Sequence, residues 1–368
     1  MEIKKNLGFE EQILYNLMSL YESFGYKKYK MSKFEEYDLY LENKNFLKSE
    51  NVIAFNDPTG KLLALKPDVT LSIAKNTDEK ESTARKLFYS ENVYRVAGNM
   101  HEFREIQQIG LEFIGSVDTY SLCEVLLLAK NSLSIISNSY VLDISHMGLV
   151  IGLLEETKLP FDIREEISAC IGTKNTPEIE KICNKYGVPT ELSSKISTLA
   201  SLYGSIDKVL PRAKELVVNE TTENSVKELI ELCSLLEKCD LTEKINIDFS
   251  VVSDINYYNG ITFRGYIEGV PGSILSGGRY DNLLLKLGKN KQAVGFAVYL
   301  DLLSYLDKND NKFDADVLLV YDEKTPAELI FKTVLELQKE GKTVRTENSS
   351  GSGLKAKEKI SLCKKEEC

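Results

Sequence analysis

Histidine is scarce in this sequence, because His101 and His146 are the only two among 368 residues. That scarcity argues against a histidine-rich metal site and against a histidine-centred hydrolase triad. The seven cysteines are odd in number, and none is spaced Cys-x-x-Cys from another. This pattern favours reduced thiols in a cytosolic protein over a disulfide framework or a zinc site.

Long hydrophobic runs are also missing. No apolar run approaches the roughly 20 residues that cross a bilayer, and the N-terminus leads into an amphipathic stretch rather than a signal-peptide core. We therefore expect a cytoplasmic protein without a membrane contact. With 46 basic and 56 acidic residues the formal net charge is −10, which argues against a surface devoted to nucleic acid.

What the sequence does contain is the composition of a soluble globular protein, 43% hydrophobic and 28% charged, long enough for two or three domains. Apolar residues with a helical period predict a helix over 9–21 that ends at Gly25. Residues 52–55 and 62–65 predict a β-hairpin, and 87–96 and 102–115 a second, longer one. A buried helix is predicted over 121–136.

The middle of the chain changes to helical segments, of which 225–238 is the plainest, with prolines as breakers. Strands are then predicted over 245–252 and 261–267, followed by a turn at Gly277-Gly278 and a helix around 280–287. We therefore divide the chain into a core in two parts, a helical insertion and a C-terminal segment: 1–151, 152–244, 245–310 and 311–368.

The C-terminal segment predicts a short α/β unit. Residues 316–321 are a strand candidate, and Thr325-Pro326-Ala327-Glu328 supplies an N-cap, a proline at the first helical position and a capping-box glutamate. A helix to about residue 340 should follow.

The strand over 102–115 carries the clearest candidate site. A period of two puts Arg104, Gln108, Gly110 and Glu112 on one face and apolar residues on the other. Because Gly110 has no side chain, this face leaves space beside a carboxylate, which suits a small polar ligand.

Arg95, on the preceding strand, and Asp68 could supply a cation for a ligand carboxylate and an anion for an ammonium group. An amino acid is therefore one candidate ligand. A solvated sheet face with a cross-strand ion pair explains the same pattern equally well.

Other features are less specific on their own. Tyr257-Tyr258 could line a pocket or pack in the core, and Gly277-Gly278 could approach a ligand or let a strand pack closely. His146 reads as a polar residue at a strand end, and His101 as a turn residue.

Taken in order, four motifs resemble histidyl-tRNA synthetases: Leu65-Lys66-Pro67-Asp68-Val69-Thr70, the strand from Arg104 to Glu112, Tyr257-Tyr258, and Gly277-Gly278-Arg279-Tyr280-Asp281 with Val294-Gly295-Phe296. The resemblance spans roughly residues 8 to 306. It implies an α+β fold of the class II aminoacyl-tRNA synthetase type, an antiparallel sheet flanked by helices.

The sequence departs from the synthetase pattern at three charged positions. Ala97 stands where an acidic residue contacts the nucleotide, Ser253 where an arginine stabilises the α-phosphate, and Leu302, after Asp301, where an arginine holds ATP. An uncharged side chain cannot replace a guanidinium there. The resemblance therefore implies a chain with no catalytic residues, no cofactor and no metal.

The residues that match the synthetase's histidine pocket are mostly kept. The histidine-binding set implied by the resemblance is Asp68, Thr70, Arg95, Arg104, Gln108, Glu112, Tyr257 and Tyr258. A pocket without activation chemistry resembles the regulatory subunits of ATP phosphoribosyltransferase, to which 33–38, 141–152 and 274–283 are also similar.

That resemblance implies a role in histidine biosynthesis. The regulatory subunit activates a short-form catalytic subunit and conveys feedback inhibition by histidine, here as a homodimer within a hetero-oligomer. Two alternatives stay open: a working histidyl-tRNA synthetase, and a synthetase-like module that binds RNA or another protein. Residues after 311 resemble the start of an anticodon-binding domain. They could be a remnant of that domain or a chain end that docks on the core or on a partner, and we prefer the remnant.

Overall fold

The structure is a computed structural model that describes residues 7–43, 52–78, 83–97, 102–252, 257–306, 313–348 and 353–362. The chain divides into two compact units, residues 1–306 and 307–368. No helix within the described residues is long and apolar enough to cross a membrane.

The described residues form twelve α-helices: α1 (Phe9–Ser23), α2 (Tyr37–Glu42), α3 (Thr70–Lys75), α4 (Thr119–Ile136), α5 (Met147–Glu156), α6 (Phe161–Gly172), α7 (Thr176–Lys185), α8 (Thr190–Ser201), α9 (Ile206–Lys214), α10 (Glu220–Lys238), α11 (Asp281–Lys286) and α12 (Ala327–Lys339). A 3-10 helix covers Leu300–Tyr305.

Fifteen strands occur in the same ranges: β1 (Lys27–Lys28), β2 (Phe34–Glu36), β3 (Ala54–Asn56), β4 (Leu62–Leu65), β5 (Arg85–Ala97), β6 (Glu102–Gly115), β7 (Tyr140–His146), β8 (Tyr203–Ser205), β9 (Ile245–Asp248), β10 (Ile261–Ile267), β11 (Leu275–Arg279), β12 (Gln292–Tyr299), β13 (Ala315–Val320), β14 (Val344–Glu347) and β15 (Ala356–Ser361).

Local patterns predicted the first elements correctly. Helix α1 buries Ile13, Leu17 and Tyr21, which recur every four residues and so share one face. The chain then turns at Gly25, whose φ of +80° favours glycine. Both predicted hairpins are present, since β3 pairs with β4 and β5 with β6, each antiparallel.

A nine-stranded sheet in the order β1-β5-β6-β12-β11-β10-β7-β9-β8 forms the centre of the first unit. Its middle strands are antiparallel, whereas β1 with β5 and β7 with β9 are parallel. The pairing of β12 with β6 sets Gly295 opposite Glu112 and Tyr299 opposite Gln108. Residues almost two hundred positions apart in sequence therefore meet in the middle of the sheet.

Two hydrophobic clusters pack against this sheet. The larger includes Leu111 and Phe296 from the sheet, together with α1, α4 and the helices α6 to α10. The smaller contains Tyr257, Tyr258 and Tyr280, together with residues of α3 and α11. Polar groups that lie among the second cluster are sheltered from water, because apolar and aromatic side chains surround them.

The predicted insertion, 152–244, consists of helices apart from one short strand. Its proposed first boundary lies inside α5, and its strand β8 pairs with β9 at the edge of the main sheet. Helix α10 packs on α4, α5 and β7. This region therefore contributes to the same sheet and core as the segments on either side of it.

Three local predictions were wrong. Gly277 and Gly278 lie within β11 rather than in a turn. An added Cβ would approach Gly295 O to 2.4 Å at Gly277 and the Tyr258 ring to 2.6 Å at Gly278, so both glycines permit close packing.

Strand β9 ends at Asp248, short of the predicted residue 252, because the Asp248 carboxylate accepts a hydrogen bond from the Ser250 amide at 2.8 Å and turns the chain. At α12 the N-cap is Pro326 instead of Thr325. The Thr325 hydroxyl donates to the Asp322 carboxylate at 2.6 Å, and this contact removes it from the helix.

The second unit is a small α/β unit, as predicted. Strand β13 lies between β14 and β15, parallel to both, and α12 connects β13 to β14. Four consecutive residues of β13, 317–320, are buried, a pattern typical of a central parallel strand.

Candidate ligand-binding site

The strand β6 presents buried polar groups at the middle of the sheet. Gln108 is 4% exposed and Glu112 2% exposed, and both face a cavity, whereas Ile109 and Leu111 pack in the larger cluster. The predicted period of two is therefore present. The solvated sheet face considered from sequence is not, because this part of β6 is buried.

The Glu112 carboxylate is held from two sides. The Thr70 hydroxyl donates to Oε1 at 2.7 Å and the Tyr280 hydroxyl donates to Oε2 at 2.6 Å. Opposite Glu112, a Cβ at Gly295 would lie 1.8 Å from Oε2. Glycine at 295 is thus the residue that leaves space for this carboxylate.

Asp68 supplies a second carboxylate at the start of α3. Its Oδ1 accepts a hydrogen bond from the Leu71 amide at 2.8 Å, which orients the side chain at the N-terminal turn of the helix. The Arg95 guanidinium donates through Nε to the Pro67 carbonyl at 3.1 Å. Asp68, Glu112 and Arg95 all line the cavity, which places two acidic groups and one basic group around it.

Tyrosine side chains enclose the cavity. The Tyr257 and Tyr258 rings lie 4.6 Å apart edge to face, and the Tyr257 and Tyr280 rings 5.9 Å apart. Burial, followed by nearby acidic groups, raises the pKa of Tyr89, Tyr257 and Tyr280 well above the ordinary value. These phenols therefore keep their protons and remain hydrogen-bond donors.

Gly110 does not open the space that we predicted. A Cβ at Gly110 would lie 2.5 Å from the Tyr89 hydroxyl and 2.4 Å from the Phe296 carbonyl. The missing side chain makes room for the Tyr89 ring, which itself lines the cavity.

The cavity has a volume of about 20 Å³ and is partly open to solvent. Fourteen residues line it: Asp68, Thr70, Tyr89, Arg95, Gln108, Glu112, Tyr257, Tyr258, Ser276, Tyr280, Gly295, Phe296, Ala297 and Tyr299. Seven of the eight predicted histidine-binding residues are among them. The exception is Arg104, which is exposed on β6 across from Arg95.

One polar group in the cavity wall is unsatisfied. Gln108 Nε2 is buried and has no hydrogen-bond partner among the described residues. Because an unpaired buried donor costs about 1–3 kcal/mol, such a group favours a ligand that accepts its hydrogen bond.

Comparison with known proteins identifies the family. A family model described as Histidyl-tRNA synthetase matches residues 5–303. The ATP phosphoribosyltransferase regulatory subunit of Clostridium kluyveri is 31% identical over 336 residues, an alignment that covers 87% of this chain and 86% of that protein. The chain belongs to this family of regulatory subunits.

Solved structures confirm the fold. An ATP phosphoribosyltransferase regulatory subunit/histidyl-tRNA synthetase from Bacillus halodurans superposes with a TM-score of 0.81 at 23% identity, covering 96% of this chain and 93% of that one. A chain of the ATP phosphoribosyl transferase (HisG:HisZ) complex from Thermotoga maritima superposes with a TM-score of 0.62 at 21% identity, covering 80% and 98%. The predicted synthetase-like α+β architecture is therefore confirmed.

In this member of the regulatory-subunit family, Leu302 is one of the positions that depart from the synthetase pattern. Leu302, in the 3-10 helix, is half-buried against the larger cluster. Burial raises the pKa of the neighbouring Asp301 carboxyl, while Arg104 and Arg95 act to lower it. Ser253 and His101 lie outside the described residues.

Sequence reasoning missed several residues of the site in this regulatory-subunit chain. Tyr89, Tyr280, Ser276 and Tyr299 line the cavity, and the last two hydroxyls lie 2.9 Å apart. Ser276 and Tyr280 were within quoted segments, and their place close to Gly277 and Gly278 was the available signal. Tyr89 and Tyr299 depend on strand register, which no local pattern indicates.

Proposed function

We propose that this chain is a cytoplasmic regulatory subunit that binds histidine in the cavity on β6. In doing so it controls a short-form catalytic subunit of ATP phosphoribosyltransferase. The observation that supports this most directly is the set of polar groups around one cavity. They are the Asp68 and Glu112 carboxylates, the Arg95 guanidinium and the unpaired side-chain Nε2 of Gln108.

The chemistry of the cavity suits an amino acid with a basic side chain. A buried carboxylate favours a cationic or hydrogen-bond-donating partner, so Asp68 can receive the α-amino group and Glu112 the imidazole. Arg95 can meet the α-carboxylate. This assignment follows the synthetase resemblance and agrees with the position of each side chain on the cavity wall.

The small reachable volume supports a regulatory role. A cavity of about 20 Å³ has room for only one or two water molecules, so its wall must move for histidine to bind. A ligand shifts a conformational equilibrium only by its differential affinity for the two states. We infer that the narrow cavity is the low-affinity state and that histidine stabilises a wider one.

We also propose that the chain does not activate amino acids. Two positions support this, Ser253 and Leu302, where the synthetase pattern has arginines that stabilise the nucleotide phosphates. Neither serine nor leucine carries the charge that this chemistry requires.

The test is the rate of ATP phosphoribosyl transfer by a short-form catalytic subunit from the same genome, with and without this chain, across a histidine titration. We expect activation by the chain and inhibition by histidine. A catalytic subunit unaffected by the chain contradicts the proposal, and histidine-dependent pyrophosphate exchange into ATP then tests synthetase activity.

Glu112→Gln links the inhibition to the cavity. The substitution keeps the shape but removes the charge, so histidine affinity should fall about 10- to 100-fold, in line with charged hydrogen bonds worth about 1.5–3 kcal/mol. Glu102→Gln, exposed at the start of the same strand, is the matched control. Unchanged histidine inhibition in Glu112→Gln would refute the assignment.

We further propose a homodimer within the hetero-oligomer. The exposed rings of Phe34 and Phe55 lie 5.4 Å apart on the three-stranded sheet β2-β4-β3, and an apolar pair of this kind supports a protein contact. Light scattering should give twice the chain mass for the unsubstituted protein and for the control Phe331→Ser, which changes an exposed phenylalanine on α12. A monomer at micromolar concentration contradicts the proposal, and a persistent dimer in Phe34→Ser contradicts this surface.

A further inference from the structure

Two short segments carry three of the five tyrosines of the cavity, Tyr257, Tyr258 and Tyr280, and hydrogen bonds clamp these segments to each other. The Asn259 side chain accepts a hydrogen bond from the Asp281 amide at 3.0 Å and donates to the Asp281 carboxylate at 3.2 Å. The Asn259 amide donates to the Arg279 carbonyl at 3.2 Å. Because Tyr258 and Tyr280 immediately precede Asn259 and Asp281, this clamp fixes both tyrosines.

Arg279 braces the clamp. Its Nε donates to Asp281 Oδ2 at 2.8 Å, and Asp281 Oδ1 accepts from the Ala293 amide at 3.0 Å. A Cβ at Gly260 would lie 2.9 Å from the Arg279 side chain, so glycine allows the arginine to lie against this segment. A change in the position of Arg279 therefore alters its contacts with both tyrosine segments.

The other end of Arg279 reaches helix α10. Arg279 Nη1 lies 3.2 Å from Glu228 Oε1, and Glu228 Oε2 lies 3.4 Å from His146 Nε2. The His146 Nδ1 accepts a hydrogen bond from the Gly148 amide at 3.1 Å, which leaves Nε2 to face Glu228. Burial acts to raise the pKa of Glu228, but His146 and Arg279 outweigh it and hold that pKa below its ordinary value.

We propose that Glu228 is a positioning residue for the ligand cavity, acting through Arg279 on the Asn259–Asp281 clamp. Through these side-chain contacts, the helical region that contains α10 is connected to the cavity wall. The inference deepens the proposed histidine binding and rests on it only for its second test.

The first test measures amide hydrogen exchange in the full-length chain without ligand. Glu228→Gln keeps the side-chain shape and removes the charge that holds Arg279, and Glu231→Gln, exposed on the same helix, is the control. We expect exchange in 257–260 and 279–283 to accelerate about threefold or more in Glu228→Gln only. Peptides from α10 itself should exchange as before, which shows that the helix is intact.

Arg279→Lys tests the same contact by changing the partner of Glu228. Lysine keeps the positive charge but lacks the forked donors that contact Glu228 and Asp281 together. We expect the same two segments to exchange faster. Identical exchange in the parent protein and both variants overturns the proposal.

The second test measures histidine affinity by calorimetry. We expect Glu228→Gln to bind histidine about 3- to 10-fold more weakly, with Glu231→Gln unchanged and all three proteins alike in thermal unfolding midpoint. Faster exchange with unaltered histidine affinity means that Glu228 orders the segments without positioning them for the ligand, and the proposal fails. If the parent protein does not bind histidine, the proposed function fails, whereas the exchange data still decide the role of Glu228.

Discussion

The absent side chain of Gly295 leaves room for the Glu112 carboxylate. Gly295→Ala would put a methyl group 1.8 Å from Glu112 Oε2 and 2.4 Å from the Leu111 carbonyl, so the backbone must shift and the carboxylate must leave the Thr70 and Tyr280 hydroxyls. We expect a loss of about 1–3 kcal/mol in the free energy of unfolding, as for other overpacked cores, and no measurable histidine binding.

Urea denaturation and calorimetry test this expectation. Gly172→Ala is a suitable control, because an added Cβ there meets no atom of the described residues closer than 4.0 Å. A Gly295→Ala variant that binds histidine normally would show that Glu112 is not held where the ligand sits.

Asp143 provides a pH-dependent prediction. Burial raises the pKa of this carboxyl to about 6, although the Asn246 side chain acts to lower it. The folded chain therefore holds this proton more tightly than the unfolded chain does. The contribution of Asp143 to stability is most favourable at low pH and falls as the pH rises from about 4 to about 6.

Asp143→Asn removes this titration. Relative to the parent protein, its free energy of unfolding should rise by about 2 kcal/mol between about pH 4 and about pH 7. Urea denaturation at four pH values measures the difference, with Asp162→Asn, exposed on α6, as the control. A difference that does not change with pH contradicts a raised pKa at Asp143.

Helix α3, which carries Thr70, is held at its C-terminal end by one lysine. The Lys289 ammonium donates to the carbonyls of Ala74, Lys75 and Thr77 at 2.5–2.6 Å. A cation there satisfies carbonyls that the helix leaves unpaired and interacts favourably with the helix dipole.

Lys289→Met should therefore lower the free energy of unfolding by about 1–2 kcal/mol. Lys227→Met, exposed in the middle of α10, controls for the loss of one positive charge. The result expected in urea denaturation is a lower midpoint for Lys289→Met alone. Equal midpoints would mean that the three contacts do not stabilise α3.

Elements with a local cause were predictable, and those with a distant cause were not. The apolar period of α1 and the Asn-Asp-Pro-Thr-Gly turn between β3 and β4 lie within a few residues of sequence, so a pattern reveals them. Gly277 and Gly278 are different, since they lie in β11 against Gly295 and Tyr258, which are about twenty residues away in sequence.

The candidate site also contains residues that a local pattern predicts and residues that it does not. The alternation on β6 predicted that Gln108 and Glu112 share a face, and the resemblance supplied Asp68, Thr70 and the paired tyrosines. Tyr89 and Tyr299 were missed because they reach the cavity through the pairing of β5 and β12 with β6. Register between distant strands depends on the whole sheet and leaves no local signal.

The whole cavity belongs to the first of the two compact units. Its lining residues run from Asp68 to Tyr299, all before residue 306. We therefore expect a chain shortened to residues 1–306 to bind histidine with an affinity within about twofold of the full chain, a change of less than about 0.5 kcal/mol. Calorimetry on both proteins measures this, and a larger loss would mean that residues after 306 contribute to the site.

The order of strands in the large sheet has a consequence for how the protein is made. Strand β12 lies between β6 and β11, so the edge of β6 has no partner on that side until Gln292–Tyr299 has left the ribosome. During synthesis, β6 and its buried polar row stay open to water and to neighbouring nascent chains. We expect a stalled chain that ends before residue 292 to be protease-sensitive and to bind chaperones, because the centre of the sheet closes last.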